Sequence, residues 1–295
     1  METAENHTVR ILFVLNGRSG SSGFDFKTGI QRYFEQGPYT IQIFEMPEKC
    51  TPHDIRKATT DFGADRVAAV GGDGTIKLVA EALLETTTPL CIIPAGSANG
   101  MARELGIPEK LEEALAIAAT GRIRKIHLVR VNDELCIHLS DIGLNAFMVK
   151  RFESLQQRGM WGYMRAAWQT FWSRYRMQVD LYLDGKHERL HAFMIVIANA
   201  TMYGTGAKIN PIGNLDDTQF EVVVLKKISL GEIYKMWISH EPYHPQMTRL
   251  FQTRKLQIKT RKRAHFQVDG EYLGKIKELK AEIIPEALEV IVPHL

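Results

Sequence analysis

Three glycine-rich turns hold the residues of this 295-residue chain best suited to chemistry. They are Asn16, Gly17, Arg18, Ser19 and Gly20 (NGRSG), Gly71 to Thr75 (GGDGT), and Pro94 to Gly100 (PAGSANG). Each follows a short apolar run and precedes a helix-like segment. Such a turn leaves backbone N–H groups free at a helix N-terminus, where the positive end of the helix dipole faces an anion. Glycine lets the backbone approach a ligand with no Cβ in the way. One such turn is weak evidence. Three of them on neighbouring strand ends would converge on one crevice, and the chemistry is phosphate binding. Plain strand-to-helix turns are the alternative, but Asp73 lies inside GGDGT. A bare anion cradle would avoid that carboxylate unless a cation sat nearby. Neither GxxxxGK(S/T) nor a well-placed GxGxxG occurs, which argues against P-loop and Rossmann nucleotide enzymes.

The elements that must position these turns alternate regularly. Val9 to Leu15, Tyr39 to Phe44, Arg66 to Val70 and Leu90 to Ile93 read as strands. Helices are expected over Lys27 to Gln36, Pro52 to Phe62, Ile76 to Leu84 and Leu111 to Thr120, with another opening at Met101 to Leu105. Thr51 is a candidate N-cap with Pro52 at the first helical position. Strand, glycine turn and helix repeat, so a parallel, doubly wound sheet is expected with its turns on one edge. After about Lys125 the texture becomes strand and turn, with Asn132-Asp133 and Asp184-Gly185 as hairpin signals. Further strands are read at Phe220 to Leu225, Leu256 to Thr260, His265 to Val268 and Leu288 to Val292, and one long helix from Arg151 to Tyr175. The expected architecture is α/β plus β. Residues 1–125 form a doubly wound nucleotide-binding domain. Residues 126–295 form a β-rich, sandwich-like antiparallel domain, with the active site in the cleft between.

GGDGT after an apolar strand resembles the nucleotide signature shared by diacylglycerol, sphingosine, ceramide and NAD kinases. PAGSANGMAREL is similar to the next motif of that superfamily. YGTGAKINPIGNLDDTQFEVVVLKK resembles its L-D-D segment, and QVDGEYL resembles its D-G-E motif. The motifs occur in the family's order and span nearly the whole chain. The resemblance implies an ATP- and Mg²⁺-dependent lipid kinase of the diacylglycerol kinase/sphingosine kinase superfamily. It implies that ATP is held by Asn16 to Gly20 and by Gly72, Asp73, Gly74, Thr75, Ile76, Lys77 and Leu78, with Ser97 in the place of the third motif's Thr. It implies Glu271 as general base and a Mg²⁺ held by Asp217, Asn214 and Gln219. Asp73 is expected to meet the nucleotide's metal or its ordered water. These roles suit phosphoryl transfer, which needs anionic charge neutralised and a hydroxyl aligned with the γ-phosphate.

The chain departs from the family pattern in places. Gly17 stands where proline is common, Lys77 where Asn is common, and Thr218 where Gly is usual. Ala98 and Gly100 replace a Thr and an Asp, and Gly100 removes a carboxylate from near the lipid headgroup. Diacylglycerol is the expected acceptor. A sphingoid base or other lipid, an NAD kinase-like activity and a non-catalytic lipid- or nucleotide-binding regulator are the alternatives.

Two stretches fall outside these motifs. Met160 to Met177 mixes six aromatic residues with arginines. It reads either as a core helix or as a helix lying at a membrane interface. Arg254, Lys255, Lys259, Arg261, Lys262 and Arg263 form a basic run that reads equally as a membrane contact or a solvated strand face. No nucleic-acid motif accompanies it. The net charge of +3 decides little, and the histidines show no metal-ligand spacing. The three widely spaced cysteines, Cys50, Cys91 and Cys136, suggest a reducing compartment. The opening residues have no basic leader, so no signal peptide is expected. No apolar run reaches the roughly 18 residues of a membrane span. The expected location is cytoplasmic, peripherally on a membrane, with a membrane lipid as substrate, no nucleic acid partner and a homodimer possible.

Overall fold

In the computed structural model, the described residues are 8–17, 25–154, 176–203, 207–208, 210, 213, 215, 218–227, 229, 231–232, 235 and 243–294. The chain divides into two units: Met1–Ile126 with Glu286–Leu295, and His127–Pro285.

The first unit runs β1 (Val9–Leu15), α1 (Phe26–Phe34), β2 (Tyr39–Glu45), α2 (Pro52–Phe62), β3 (Arg66–Gly71), α3 (Asp73–Leu83), β4 (Leu90–Pro94), α4 (Gly100–Glu104) and α5 (Leu111–Thr120). β2, β1, β3 and β4 lie side by side in that order, all parallel. The central strands are apolar throughout, as expected where helices cover a parallel sheet: Ile11 to Val14 and Val67 to Val70 are wholly buried. Local chemistry sets the helix ends. Thr51 and Asp54 form a reciprocal capping box at the start of α2, Pro52 opens it, and Gly63 closes it in the left-handed conformation. The order β2-β1-β3-β4 places a topological switch point between β1 and β3, where the chain leaves adjacent strands in opposite directions. In such sheets ligands bind beyond the carboxyl ends of these strands.

The second unit begins within β5 (Arg122–Val131) and contains β6 (Glu134–Cys136), β7 (Leu139–Gly143), α6 (Leu144–Ser154), β8 (Met177–Leu183), β9 (Lys186–Ala192), β10 (Met194–Ala198), β11 (Met202–Tyr203), β12 (Ala207–Lys208), β13 (Phe220–Leu225), β14 (Thr248–Thr253), β15 (Lys255–Val268) and most of β16 (Glu271–Val292). β14, β13, β10, β7 and the end of β15 form one antiparallel sheet. The start of β15 pairs instead with β8, which pairs with β9. One strand thus serves two sets of neighbours. It changes over at a register shift between Lys259 and Ala264, the usual way a strand turns a sandwich corner. Val179, Leu181, Ile195, Ile197, Val222, Val224, Ile258 and Phe266 meet in the core.

Two readings need revision at their edges, and a third lies mostly outside the described residues. The strands read at Leu256 to Thr260 and His265 to Val268 are one strand, β15. The boundary near residue 126 has a counterpart at Pro285, because the end of β16 belongs to the first unit and pairs in parallel with β4 (Val290 with Leu90). Pro285 lacks a ladder N–H, and Glu286 takes a positive φ of 46°. Of the helix read over Arg151 to Tyr175, residues 151–154 end α6; residues 155–175 lie outside the described residues.

Candidate active site

At the switch point, the ends of β1, β3 and β4 are tied together by backbone and short side chains. Asn16 follows β1, its N–H donating to Val70 O at 3.2 Å and its Nδ2 to Thr75 Oγ1 at 3.0 Å. Ala95 N–H donates to Gly71 O at 3.0 Å. The second and third glycine turns touch directly: a Cβ on Gly96 would lie 2.5 Å from Gly72 Cα. A Cβ on Gly71 would strike the Thr75 hydroxyl at 2.3 Å. These glycines answer to the protein's own packing. Gly17 and Gly74 differ, since a Cβ there would meet nothing within 4 Å. No side chain caps α3 at Gly72. Its first turn therefore offers the anion-binding end of a helix dipole, with open space at Gly74.

Asp73 points to α4. Its Oδ2 accepts from Gly100 N and its Oδ1 from Met101 N, both at 3.1 Å. Asn99, at φ 50°, folds the third turn by exchanging hydrogen bonds with Gly96 at 2.9 and 3.0 Å. Asp73 thus locks GGDGT to PAGSANG, a role that its place in the motif did not reveal. Thr75, Ile76 and Lys77 are buried, Leu78 is half-buried and Ser97 is exposed. Ile76 belongs to the core and gives its N–H to Gly72 O. Arg18, Ser19 and Gly20 lie outside the described residues.

In the second unit, Glu271 opens β16 opposite Val268. The two residues between, Asp269 and Gly270, have φ values of 48° and 87°. Positive φ at both central positions makes the tight hairpin turn that Asp-Gly favours. Glu271 is exposed and its turn is anchored below. The Asp269 carboxylate accepts from Ile137 N, His138 N and Leu139 N at 3.0, 2.9 and 3.0 Å. Gly270 N donates to Gln267 Oε1 at 2.7 Å, and Gln267 Nε2 donates in turn to Asp141. Asp141 is fully buried and also accepts from Ala146 N (2.9 Å) and Asn145 Nδ2 (2.7 Å), at the start of α6. Beside the turn, His265 Nδ1 and the Tyr272 hydroxyl are 2.8 Å apart. Burial, helped by Lys275 and Lys150, pushes the His265 pKa down to about 4. The contact of Asp141 with Gln267 escaped sequence reading, because nothing in the spacing links residue 141 to residue 267.

Of the expected metal set, Gln219 is half-buried just before β13, while Asn214 and Asp217 lie outside the described residues. Among the described residues, no group of three His, Cys, Asp or Glu could hold a metal ion, and Gln219 alone makes no site. The loop's base is firm: Asn210 donates to Glu221 Oε2 at 2.7 Å and to Ala200 O at 3.2 Å. Gly213 packs on that amide, where a Cβ would come within 2.5 Å of Asn210 Nδ2.

Residues 10–131 match the diacylglycerol kinase catalytic domain, and residues 141–292 match the YegS C-terminal NAD kinase beta sandwich-like domain. The chain belongs to the diacylglycerol kinase/YegS family of lipid kinases. A Chromohalobacter salexigens protein named as a probable YegS-like lipid kinase is 25% identical over 249 residues, covering 81% of this chain and 80% of that one. The diacylglycerol kinase of Bacillus subtilis is 27% identical over 222 residues, covering 72% and 73%. The crystal structure of a diacylglycerol kinase from Bacillus anthracis superposes with a TM-score of 0.70 over 97% of each chain. At 18% identity, that likeness is one of fold. Membership makes the chain a kinase-type phosphotransferase and implies that it uses ATP. No helix among the described residues is long and apolar enough to cross a membrane.

Proposed function

We propose that this lipid kinase transfers the γ-phosphate of ATP to a hydroxyl of a membrane lipid, with diacylglycerol the first choice and phosphatidate the product. One observation carries the nucleotide half of the reading: the uncapped first turn of α3 lies at the switch point, with open space at Gly74. Backbone N–H groups there suit the phosphates. Glu271, on its anchored turn, takes the proton of the lipid hydroxyl as that oxygen bonds to the γ-phosphorus. The bond from that phosphorus to the β–γ bridging oxygen breaks, and ADP leaves with the electron pair. Mg²⁺, held through Asp217 with Asn214 and Gln219, would neutralise phosphate charge.

A sphingoid base is the second reading, because Gly100 brings no carboxylate beside the headgroup. The test is transfer from labelled ATP to diacylglycerol, monoacylglycerol, a sphingoid base, ceramide, undecaprenol and phosphatidylglycerol in mixed micelles, with NAD as control. Labelled diacylglycerol is the expected product, lost on chelation of Mg²⁺. Glu271→Gln should lower turnover by about 100-fold or more, in the range of a general base, while nucleotide affinity stays unchanged. Transfer to NAD alone would overturn the lipid reading. An indifferent Glu271→Gln would remove Glu271 from the mechanism.

A further inference from the structure

The basic run from Arg254 to Arg263 divides sharply in three dimensions. Arg254 donates to the Thr218 hydroxyl at 2.9 Å, Lys255 pairs with Glu282 at 2.7 Å, and Lys259 lies over the Tyr182 ring. Arg261, Lys262 and Arg263 are different. They sit in the register shift of β15, where Lys259 faces Glu278 but Ala264 already faces Ile276. On the β16 side, Thr260, Arg261, Lys262 and Arg263 thus face Lys277 alone, and the three bases are exposed. Turning the sandwich corner requires the extra residues, but nothing in that geometry requires them to be cationic.

The bulge borders a cavity of about 590 Å³ that also takes in Arg176 and His191. A neighbouring cavity of about 500 Å³ shares Arg176 and His191 and adds Lys226 and Lys227. Among the described residues, no Asp or Glu lines either one. Among the described residues, none of these six Arg and Lys side chains has an ion-pair partner. Two other arginines of this unit are paired: Arg249 with Glu188 at 2.6 Å and Arg189 with Asp180 at 2.8 Å. A third cavity, of about 430 Å³, sets Lys255 and Lys280 against Asp184 and Glu282. With a net charge of only +3 for the whole chain, this surface is a local concentration of charge. Its lining also carries apolar side chains, Leu190 and Phe193 in one cavity and Met177 in the other.

We propose that the β15 bulge, together with Arg176, Lys226 and Lys227, is a docking surface for an anionic bilayer, binding lipid phosphate groups. Protruding bases over cavities with apolar lining suit phospholipid headgroups, and each base near an anionic membrane adds to the attraction. The proposal rests on the lipid-kinase reading for its choice of a membrane as the partner.

The experiment is co-sedimentation of the full chain with phosphatidylcholine vesicles, with and without phosphatidylglycerol. The wild type should bind only those with phosphatidylglycerol, more weakly as salt rises. The triple substitution R261Q/K262Q/R263Q should weaken binding about 100-fold, at roughly fivefold per charge. R254Q/K255Q, in the same run but at engaged positions, should cost far less. K226Q/K227Q provides a second test away from the bulge, and unchanged unfolding midpoints confirm that the variants fold. Wild-type affinity in both the triple and the K226Q/K227Q variants, or equal losses in the triple and R254Q/K255Q, would overturn the proposal. So would tighter binding to duplex DNA at the same ionic strength, or displacement from vesicles by millimolar inorganic phosphate at constant ionic strength. Turnover on short-chain diacylglycerol in neutral micelles separates the two readings. If the wild type binds vesicles through these bases but phosphorylates no lipid, the kinase reading fails and the surface stands. If the triple and K226Q/K227Q variants both turn over micellar lipid normally and still bind vesicles fully, the surface fails and the kinase stands.

Discussion

At the residue scale, the candidate base owes its position to acids that do not react. Asp269 accepts three consecutive backbone N–H groups and so holds the turn that carries Glu271. Asp269→Ala would leave those donors unsatisfied, at a cost of about 2 kcal/mol in stability. Turnover should fall further than the folded fraction does, which activity and unfolding measured at one temperature will show. His265 supplies a pH dependence with a definite sign. Its folded pKa of about 4 lies below the ordinary 6.5, so the unfolded chain binds the proton more tightly. Its contribution should therefore lower stability as pH falls from about 6.5 towards 4 and level off below that. Denaturant unfolding across that window is the measurement, and His265→Gln should flatten the slope.

At the element scale, the glycine turns divide into those the protein needs and those a ligand would use. Gly96 lies against Gly72 with no room for a methyl group. Gly96→Ala should push the second and third turns apart, lower the thermal midpoint and weaken nucleotide binding together. Gly74 faces open space, so Gly74→Ala should leave the thermal midpoint nearly unchanged and weaken nucleotide binding alone. Thermal unfolding with and without ATP distinguishes these outcomes. If Gly74→Ala binds ATP like the wild type, phosphate does not approach that point.

At the scale of the whole molecule, the chain's last strand matters more than its place in the sequence suggests. β16 begins in the second unit and ends in the first, beside β4. Ile291 is 1% exposed there. Ile291→Ala should cost about 2 to 5 kcal/mol, and the loss should fall on the first unit. Hydrogen exchange should show faster opening of β3 and β4, although the substitution lies about 200 residues beyond β4 and further still from β3.

Much of this was legible without coordinates, because it depends on neighbours along the chain. The first, third and fourth strands follow from short apolar runs and the second from alternation, α2 from Thr51, Pro52 and Gly63, and the hairpins from Asn132-Asp133 and Asp184-Gly185. The glycine turns and the acid before Glu271 also stand out as motifs. What stayed hidden depends on pairs distant in sequence. Asp73 reaches 27 residues to Gly100, and Gln267 reaches 126 residues to Asp141. The basic run was the plainest case. Its six charges look alike in a line of text, yet Glu282, Thr218 and Tyr182 engage three of them, and a register shift exposes the others. Sequence determines local conformation and charge type through short-range propensity. Only tertiary pairing decides which charges are neutralised, because Coulomb partners and hydrogen-bond acceptors arrive from strands that the sequence keeps far apart.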